Sequence, residues 1–237
     1  MINMGDHVAV GLSGGKDSLL LLTLLKAYQK FSPEIFKLTA ITIDLGFKDT
    51  NPKEVEALKE YCKNLGVEYI IEPSEIAEII FTERKEKNPC SLCSKMRRGA
   101  LNTSAIKIGA NKLALGHHAE DLLETFLLSF IYEGRLSTFK PVSYMDRTDM
   151  TLIRPMIYIS EDEVKCFAKK HALPVVFNPC PKNHVSQREY MKNLVNKLNE
   201  DIPIAKLRML SALYHPERNS LLPEKGKSET RNDKRET

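Results

Sequence analysis

The chain has 237 residues, 42% of them hydrophobic and 28% charged, with a formal net charge of +4. That balance suits one globular α/β domain with at most a small appendage, and it permits a polyanionic partner without demanding one. The longest apolar run, "LLLLTLL" at residues 19–25, is too short for a membrane span, and the first residues lack the charged and apolar segments of a signal peptide, so a cytoplasmic address is expected.

In chain order, "HVAVGL" (residues 7–12) predicts a short buried strand feeding a glycine-rich turn, with a helix over about residues 16–30. "KLTAITID" (residues 37–44) is an alternating, β-branched second strand. "NPKEVEALKEYCKNLG" (residues 51–66) has a cap, an early proline, helical apolar spacing and a terminal glycine. "VEYIIE" (residues 67–72) reads as a third strand. The stretch from residue 112 to 134 repeats the opening pattern of strand, glycine turn and helix, and "DMTLIRP" (residues 149–155) gives a fifth strand. Strands alternating with helices mean βαβ units and a parallel sheet. Past Ser160 the pattern is helical, beginning with the capping-box spacing of Ser160 and Glu163 and continuing through residues 184–213. We therefore expect a main domain over residues 1–159, a helical region over 160–215 and a disordered charged tail over 216–237.

"GLSGGKDS" (residues 11–18) departs from the Walker loop, because three residues rather than four separate Gly11 from Gly15 and Asp17 follows Lys16. At a strand–helix junction, the N–H groups of Ser13, Gly14 and Gly15 form an anion-binding nest aided by the helix dipole. Ser13 and Ser18 add hydroxyls, Lys16 a mobile positive charge, and Asp17 calls for Mg²⁺ between itself and phosphate.

The chain has five cysteines, an odd number that argues against a disulfide framework in an unexported protein. Cys90 and Cys93 form a C-x-x-C, and Cys180 follows a second Asn-Pro, each in loop-like sequence. Three thiolates leave two options open: zinc completed by His184, or a [4Fe–4S] cluster with one iron free for sulfide. Cys62 and Cys166 fall on helices and read as packing or chance.

"SGGKDS" resembles the PP-loop of the N-type ATP pyrophosphatases, which grips the pyrophosphate of ATP. With "PCSLCSKMRRGAL", "LALGHHAEDLLET", "LIRPM" and the cysteine of "NPC" in that order, the chain from about residue 5 to 200 resembles the tRNA 2-thiocytidine synthetases. That resemblance implies a five-stranded parallel sheet of order 3-2-1-4-5, with both glycine turns facing one crevice. It implies ATP and Mg²⁺ at Ser13, Gly14, Gly15, Lys16, Asp17 and Ser18, with Asp44, Gly116 and His118 nearby. It also implies adenylation and 2-thiolation of the cytidine at position 32 in the tRNA anticodon loop. The sulfur, supplied by a cysteine desulfurase or free sulfide, passes through a [4Fe–4S] cluster on Cys90, Cys93 and Cys180, with zinc as the alternative. Asp121 is implied as acid–base or Mg²⁺ ligand, Arg97 as a holder of adenylate or tRNA phosphate, and a homodimer is possible by analogy. The third cysteine segment carries one cysteine only, and Glu120 replaces a common aspartate, which puts Mg²⁺ binding there in doubt.

Plainer roles compete at several positions. Asp44 suits a turn, Asp121 a helix start, and His117 a structural brace. Lys165, Lys169, Lys170, His171, Lys182, Arg188, Lys192 and Lys197 give the C-terminal half a basic face suited to RNA, and Tyr132, Phe139, Tyr144 and Phe177 are candidates for base stacking. Two other functions fit less of the pattern: a PP-loop ligase acting on a small molecule with a zinc site, and a non-catalytic nucleotide- or RNA-binding module.

Overall fold

A computed structural model of the protein describes residues 1–47, 51–86, 89–177, 179–181 and 186–218. The first half runs β1 (His7–Gly11), α1 (Lys16–Tyr28), β2 (Lys37–Asp44), α2 (Pro52–Leu65) and β3 (Glu68–Pro73). A short α3 (Ile76–Glu78) then runs into a π-helical turn, followed by α4 (Pro89–Lys107) and β4 (Lys112–Ala114). The remainder is α5 (Ala119–Glu133), β5 (Val142–Met145), β6 (Met150–Ile153), α6 (Glu161–Lys170), α7 (Gln187–Asp201) and α8 (Ala205–Tyr214). His184 and the tail beyond Arg218 lie outside the described residues, as does Lys182.

The sheet order is β3-β2-β1-β4-β6-β5. Its first five members are parallel and reproduce the expected 3-2-1-4-5 order, with "DMTLIRP" as the fifth member. The sheet has six strands rather than five, because β5 adds an antiparallel edge by a hairpin to β6. Four residues with no fully buried position give little strand signal. Asp149, at φ +48°, makes the reversal in a left-handed conformation that aspartate tolerates.

β1 is the central strand, and Val8, Ala9 and Val10 have no exposed surface. Val8 and Val10 pack with Leu19, Leu21, Leu22 and Leu25 of α1, while Ala9 packs with Leu101 and Ala105 of α4. Helices thus cover both faces, which is what lets a parallel strand read as a continuous apolar run. Val164 and Phe167 of α6, with Leu173 and Val176, join the α1 cluster. Val195 of α7 and Leu210 of α8 close over Ala119 and Leu123 of α5.

Local signals end the helices where the sequence indicates. The Asn51 side chain accepts the Lys53 N–H at 3.1 Å, Pro52 stands at the first helical position, and Gly66 terminates α2 at φ +64°. Ser160 and Glu163 make the reciprocal pair of a capping box at α6, with the Ser160 N–H donating to Glu163 at 2.7 Å and the Glu163 N–H to the Ser160 hydroxyl at 3.3 Å. The order reverses between β1 and β4, so the turns after these strands open onto one crevice at the carboxyl ends of the strands.

Candidate active site

The turn after β1 is braced from within. The Ser18 hydroxyl donates to the Gly15 carbonyl at 2.9 Å and accepts the Ser13 N–H at 3.1 Å. Ser18 is buried and the Ser13 N–H is spent inside the turn, so neither is presented outward as the sequence suggested. What remains for an anion is the α1 N-terminus: Gly15 is its cap residue, and no side chain caps the first turn. Gly14 sits at φ +78° with its hydrogen side against Val176, whose N–H donates to the Gly14 carbonyl at 2.9 Å. The segment leading to Cys180 is therefore pinned to the phosphate loop.

Lys16 is half-buried and contacts Asp17 at 3.0 Å and Glu161 at 3.4 Å. Asp17 Oδ1, buried and without a well-aligned hydrogen bond, is the oxygen 3.0 Å from the Lys16 ammonium, so it already faces a positive charge and suits a cation. Gly116 touches this turn from β4. A β-carbon there would stand 2.9 Å from the Asp17 carbonyl, so its bare Cα lets the two turns meet. Asp44, at the end of β2, accepts the Gly46 N–H at 3.0 Å and takes the turn role in this structure.

The turn after β4 carries the ionisable cluster. His118 is 5% exposed and lies 3.2 Å from Glu120, 3.5 Å from Asp121 and 3.9 Å from Asp17. Burial lowers its pKa, but the contact with Glu120 and the charges of Asp121 and Asp17 outweigh this and leave it raised. The ring faces carboxylates rather than an open phosphate site. Glu120 is buried; burial pushes its carboxyl up, yet His118, the Glu161 N–H and Lys206 bring it down to about 2. It ties α5 to α6 and α8, a structural task that explains a longer side chain than aspartate.

Asp121 accepts the His118 N–H at 3.0 Å and pairs with Arg188 of α7 at 3.2 Å, so it caps α5 and also faces the crevice. Arg188 reaches Glu124 at 3.3 Å as well. Burial, together with Asp121, pushes Glu124 up to about 7 against the pull of Arg188. His117 stacks on Phe139 at 4.8 Å and accepts the Arg154 Nε–H at 3.2 Å. Burial, partly opposed by Asp121, holds His117 at about 4, so it is the neutral brace the sequence suggested. Arg154, buried over the Phe139 ring, is brought down to about 10 by burial and by Arg98.

Cys90 and Cys93 lie in the first turn of α4 rather than in a loop, and their spacing of three puts both thiols on one face. A proline at a helix start is compatible with this, and the helix N-terminus favours thiolates. Burial pushes the Cys93 thiol up. Arg97 opposes that shift, and the nearby thiols of Cys180 and Cys90 add to it, so the three cysteines and Arg97 share one locality. Among the described residues no three His, Cys, Asp or Glu side chains are tight enough for a single ion. Cys62 is fully buried in the core, and burial raises it to about 11; Cys166 is exposed.

Part of the expected basic face is paired with carboxylates: Lys165 and Lys192 with Glu161, and Arg188 with Asp121 and Glu124. Phe139 is spent on His117 and Arg154, while Tyr132, Tyr144 and Phe177 are exposed. Sequence reasoning missed Glu124, Glu161 and the inward role of Arg188, since carboxylates and bases on helices have no local signal of the partner they meet.

The chain matches the PP-loop domain family over residues 3–199. It is 37% identical over 221 residues to the tRNA-cytidine(32) 2-sulfurtransferase of Citrifermentans bemidjiense, which covers 91% of this chain and 86% of the relative. It is 38% identical over 226 residues to the protein of that name from Syntrophotalea carbinolica, covering 94% and 86%. Among solved structures it is similar to the U34-tRNA thiolase NcsA from Methanococcus maripaludis with its [4Fe-4S] cluster, at a TM-score of 0.73 and 28% identity over 94% of this chain and 75% of that one. Among the described residues no helix is long and apolar enough to cross a membrane.

Proposed function

The chain belongs to the tRNA-cytidine(32) 2-sulfurtransferases of the PP-loop family, and from that membership we propose that it adenylates and then 2-thiolates cytidine 32 of the tRNA anticodon loop in the cytoplasm. The observation that carries the reading is that Cys180, from the segment after α6, shares one locality with Cys90 and Cys93 of α4, a helix whose Arg98 acts on both His117 and Arg154 of the crevice.

In this reading the uncapped start of α1 and the Lys16 ammonium hold the phosphates of ATP, and Asp17 Oδ1 would hold Mg²⁺ once Lys16 turns to phosphate. The cytidine O2 attacks the α-phosphorus, the bond to the bridging oxygen breaks, and pyrophosphate leaves. Sulfur then bonds to C2, and O2 departs with AMP, a far better leaving group than oxide. Asp121, held by Arg188 and the His118 N–H, is the group this reading assigns to take the proton released at the base. Arg97 offsets the negative charge of the thiolates. Cys90, Cys93 and Cys180 would hold a [4Fe–4S] group, which would supply the sulfide for this step, obtained from a cysteine desulfurase or as free sulfide.

The test is anaerobic. Reconstitution with iron and sulfide is expected to give about four irons per chain, lost in Cys90→Ala. The loaded protein is expected to thiolate unmodified tRNA in an ATP-dependent way with release of pyrophosphate. Cys180→Ala should keep its fold and ATP binding while thiolation disappears. A Cys180→Ala protein that still thiolates tRNA overturns the role given to the three cysteines.

A further inference from the structure

Glu161 reaches the phosphate loop at Lys16 from the start of α6. It opens α6, its N–H donates to Glu120 at 2.8 Å, and its side chain is 10% exposed. One of its oxygens, Oε1, is shared by two lysines from distant parts of the chain: Lys16 of the loop at 3.4 Å and Lys192 of α7 at 2.8 Å. Lys165 takes the other oxygen at 3.1 Å. A cavity of about 60 Å³, lined by Glu120, Glu124, Glu161, Lys192 and Lys206 among others, lies behind this cluster.

The loop lysine neutralises phosphate charge only to the extent that its ammonium is released by carboxylates. Two carboxylates hold it here, Asp17 at 3.0 Å and Glu161 at 3.4 Å, and Glu161 is the one supplied from outside the loop. A carboxylate with a closer ammonium on the same oxygen attracts a second one less, so Lys192 weakens the pull of Glu161. We propose that Glu161 is a positioning residue that competes with ATP phosphates for Lys16, and that Lys192 sets the strength of the competition. The inference rests on the reading of residues 11–18 as the ATP loop. It goes further by linking ATP affinity to α7, the helix that follows the Cys180 segment.

The test is the Kd for Mg-ATP, measured by calorimetry on the full chain without tRNA. Glu161→Gln is expected to bind ATP about threefold tighter, and Lys192→Met about threefold weaker, the scale of partly exposed ion pairs. In the Glu161→Gln background, Lys192→Met should add nothing. Lys192→Arg should restore the wild-type value. Lys165→Met, at a more exposed position, perturbs the same carboxylate and should weaken binding in the same sense. A purely structural role would weaken ATP binding in both single variants, and a general field effect would make them additive. Either result overturns the proposal. A wild-type chain that binds no Mg-ATP overturns the ATP reading of the loop and this inference with it, whereas wild-type binding with the wrong variant signs overturns the inference alone.

Discussion

Replacing Gly116 by alanine tests how the two crevice turns are joined. The added methyl would lie 2.9 Å from the carbonyl carbon and oxygen of Asp17 and 3.1 Å from the Ser18 nitrogen, where ordinary contact begins near 3.4 Å. All three are backbone atoms at the start of α1, so no flexible side chain can swing aside. The β4 turn and the phosphate loop must separate by several tenths of an ångström. Overpacking of this kind costs about 1–3 kcal/mol. In a chain of this length ~1 kcal/mol moves Tm by about 2–4 °C, so a loss of roughly 4–8 °C follows for a cost of ~2 kcal/mol. The displaced atoms carry the anion-binding N–H groups, and ATP affinity should fall tenfold or more, because misplacement of ~1 Å is worth up to ~10²-fold. Gly99→Ala is the control. Gly99 is an exposed helical glycine with nothing within 4 Å of the new methyl, and the change should raise stability by about 0.5–1 kcal/mol. Thermal unfolding with parallel ATP titration measures both. A Gly116→Ala protein with wild-type Tm and ATP affinity refutes the argument.

Glu124 predicts a pH dependence of unusual sign. Its folded pKa of about 7 lies above the ordinary 4.5, so between those values the folded chain binds the extra proton and stability falls as pH rises. Glu124→Gln should therefore gain about 1–3 kcal/mol on wild type between pH 4.5 and 8 in urea unfolding, and a difference that ignores pH counts against the assignment. Glu120, brought down to about 2, behaves oppositely: its contribution is full above its ordinary value of 4.5 and is lost as pH falls toward 2. Glu120→Gln should destabilise most at neutral pH, and a penalty that persists at pH 2 would show that lost packing, not charge, is responsible. Arg154→Lys should cost about 1–3 kcal/mol in denaturant unfolding, because an ammonium cannot reproduce the fork to His117, the Lys140 carbonyl and Ser143 while stacking on Phe139. A wild-type midpoint for Arg154→Lys would mean the fork contributes nothing.

The parallel core and the phosphate loop are legible in sequence because their rules are local. "HVAVGL" must be buried on both faces, and the asparagine, proline and glycine around α2 act within one turn of where they stand. β5 is not legible, since a four-residue edge strand depends on β6 for its existence. The C-x-x-C can be recognised as a pair, yet Pro89 disguises its helix as a loop, because proline is equally at home in both settings. Charge on helices is the least legible feature of all. Arg188 and Lys192 look like a solvated basic face, but their partners Asp121, Glu124 and Glu161 arrive from α5 and the start of α6, and only the packing of α7 against those elements reveals the pairing; Lys165 with Glu161 is by contrast a local i,i+4 pair within α6. That pairing changes what the net charge can do. Cations already opposed by buried carboxylates release few counterions when RNA phosphate approaches, so they add little to the salt dependence of binding. The electrostatic attraction of the C-terminal half for tRNA then falls on lysines that remain exposed, such as Lys169, Lys170 and Lys197. The paired cations instead fix the acids beside the phosphate loop, so α6 and α7 carry both exposed lysines and the partners of those acids.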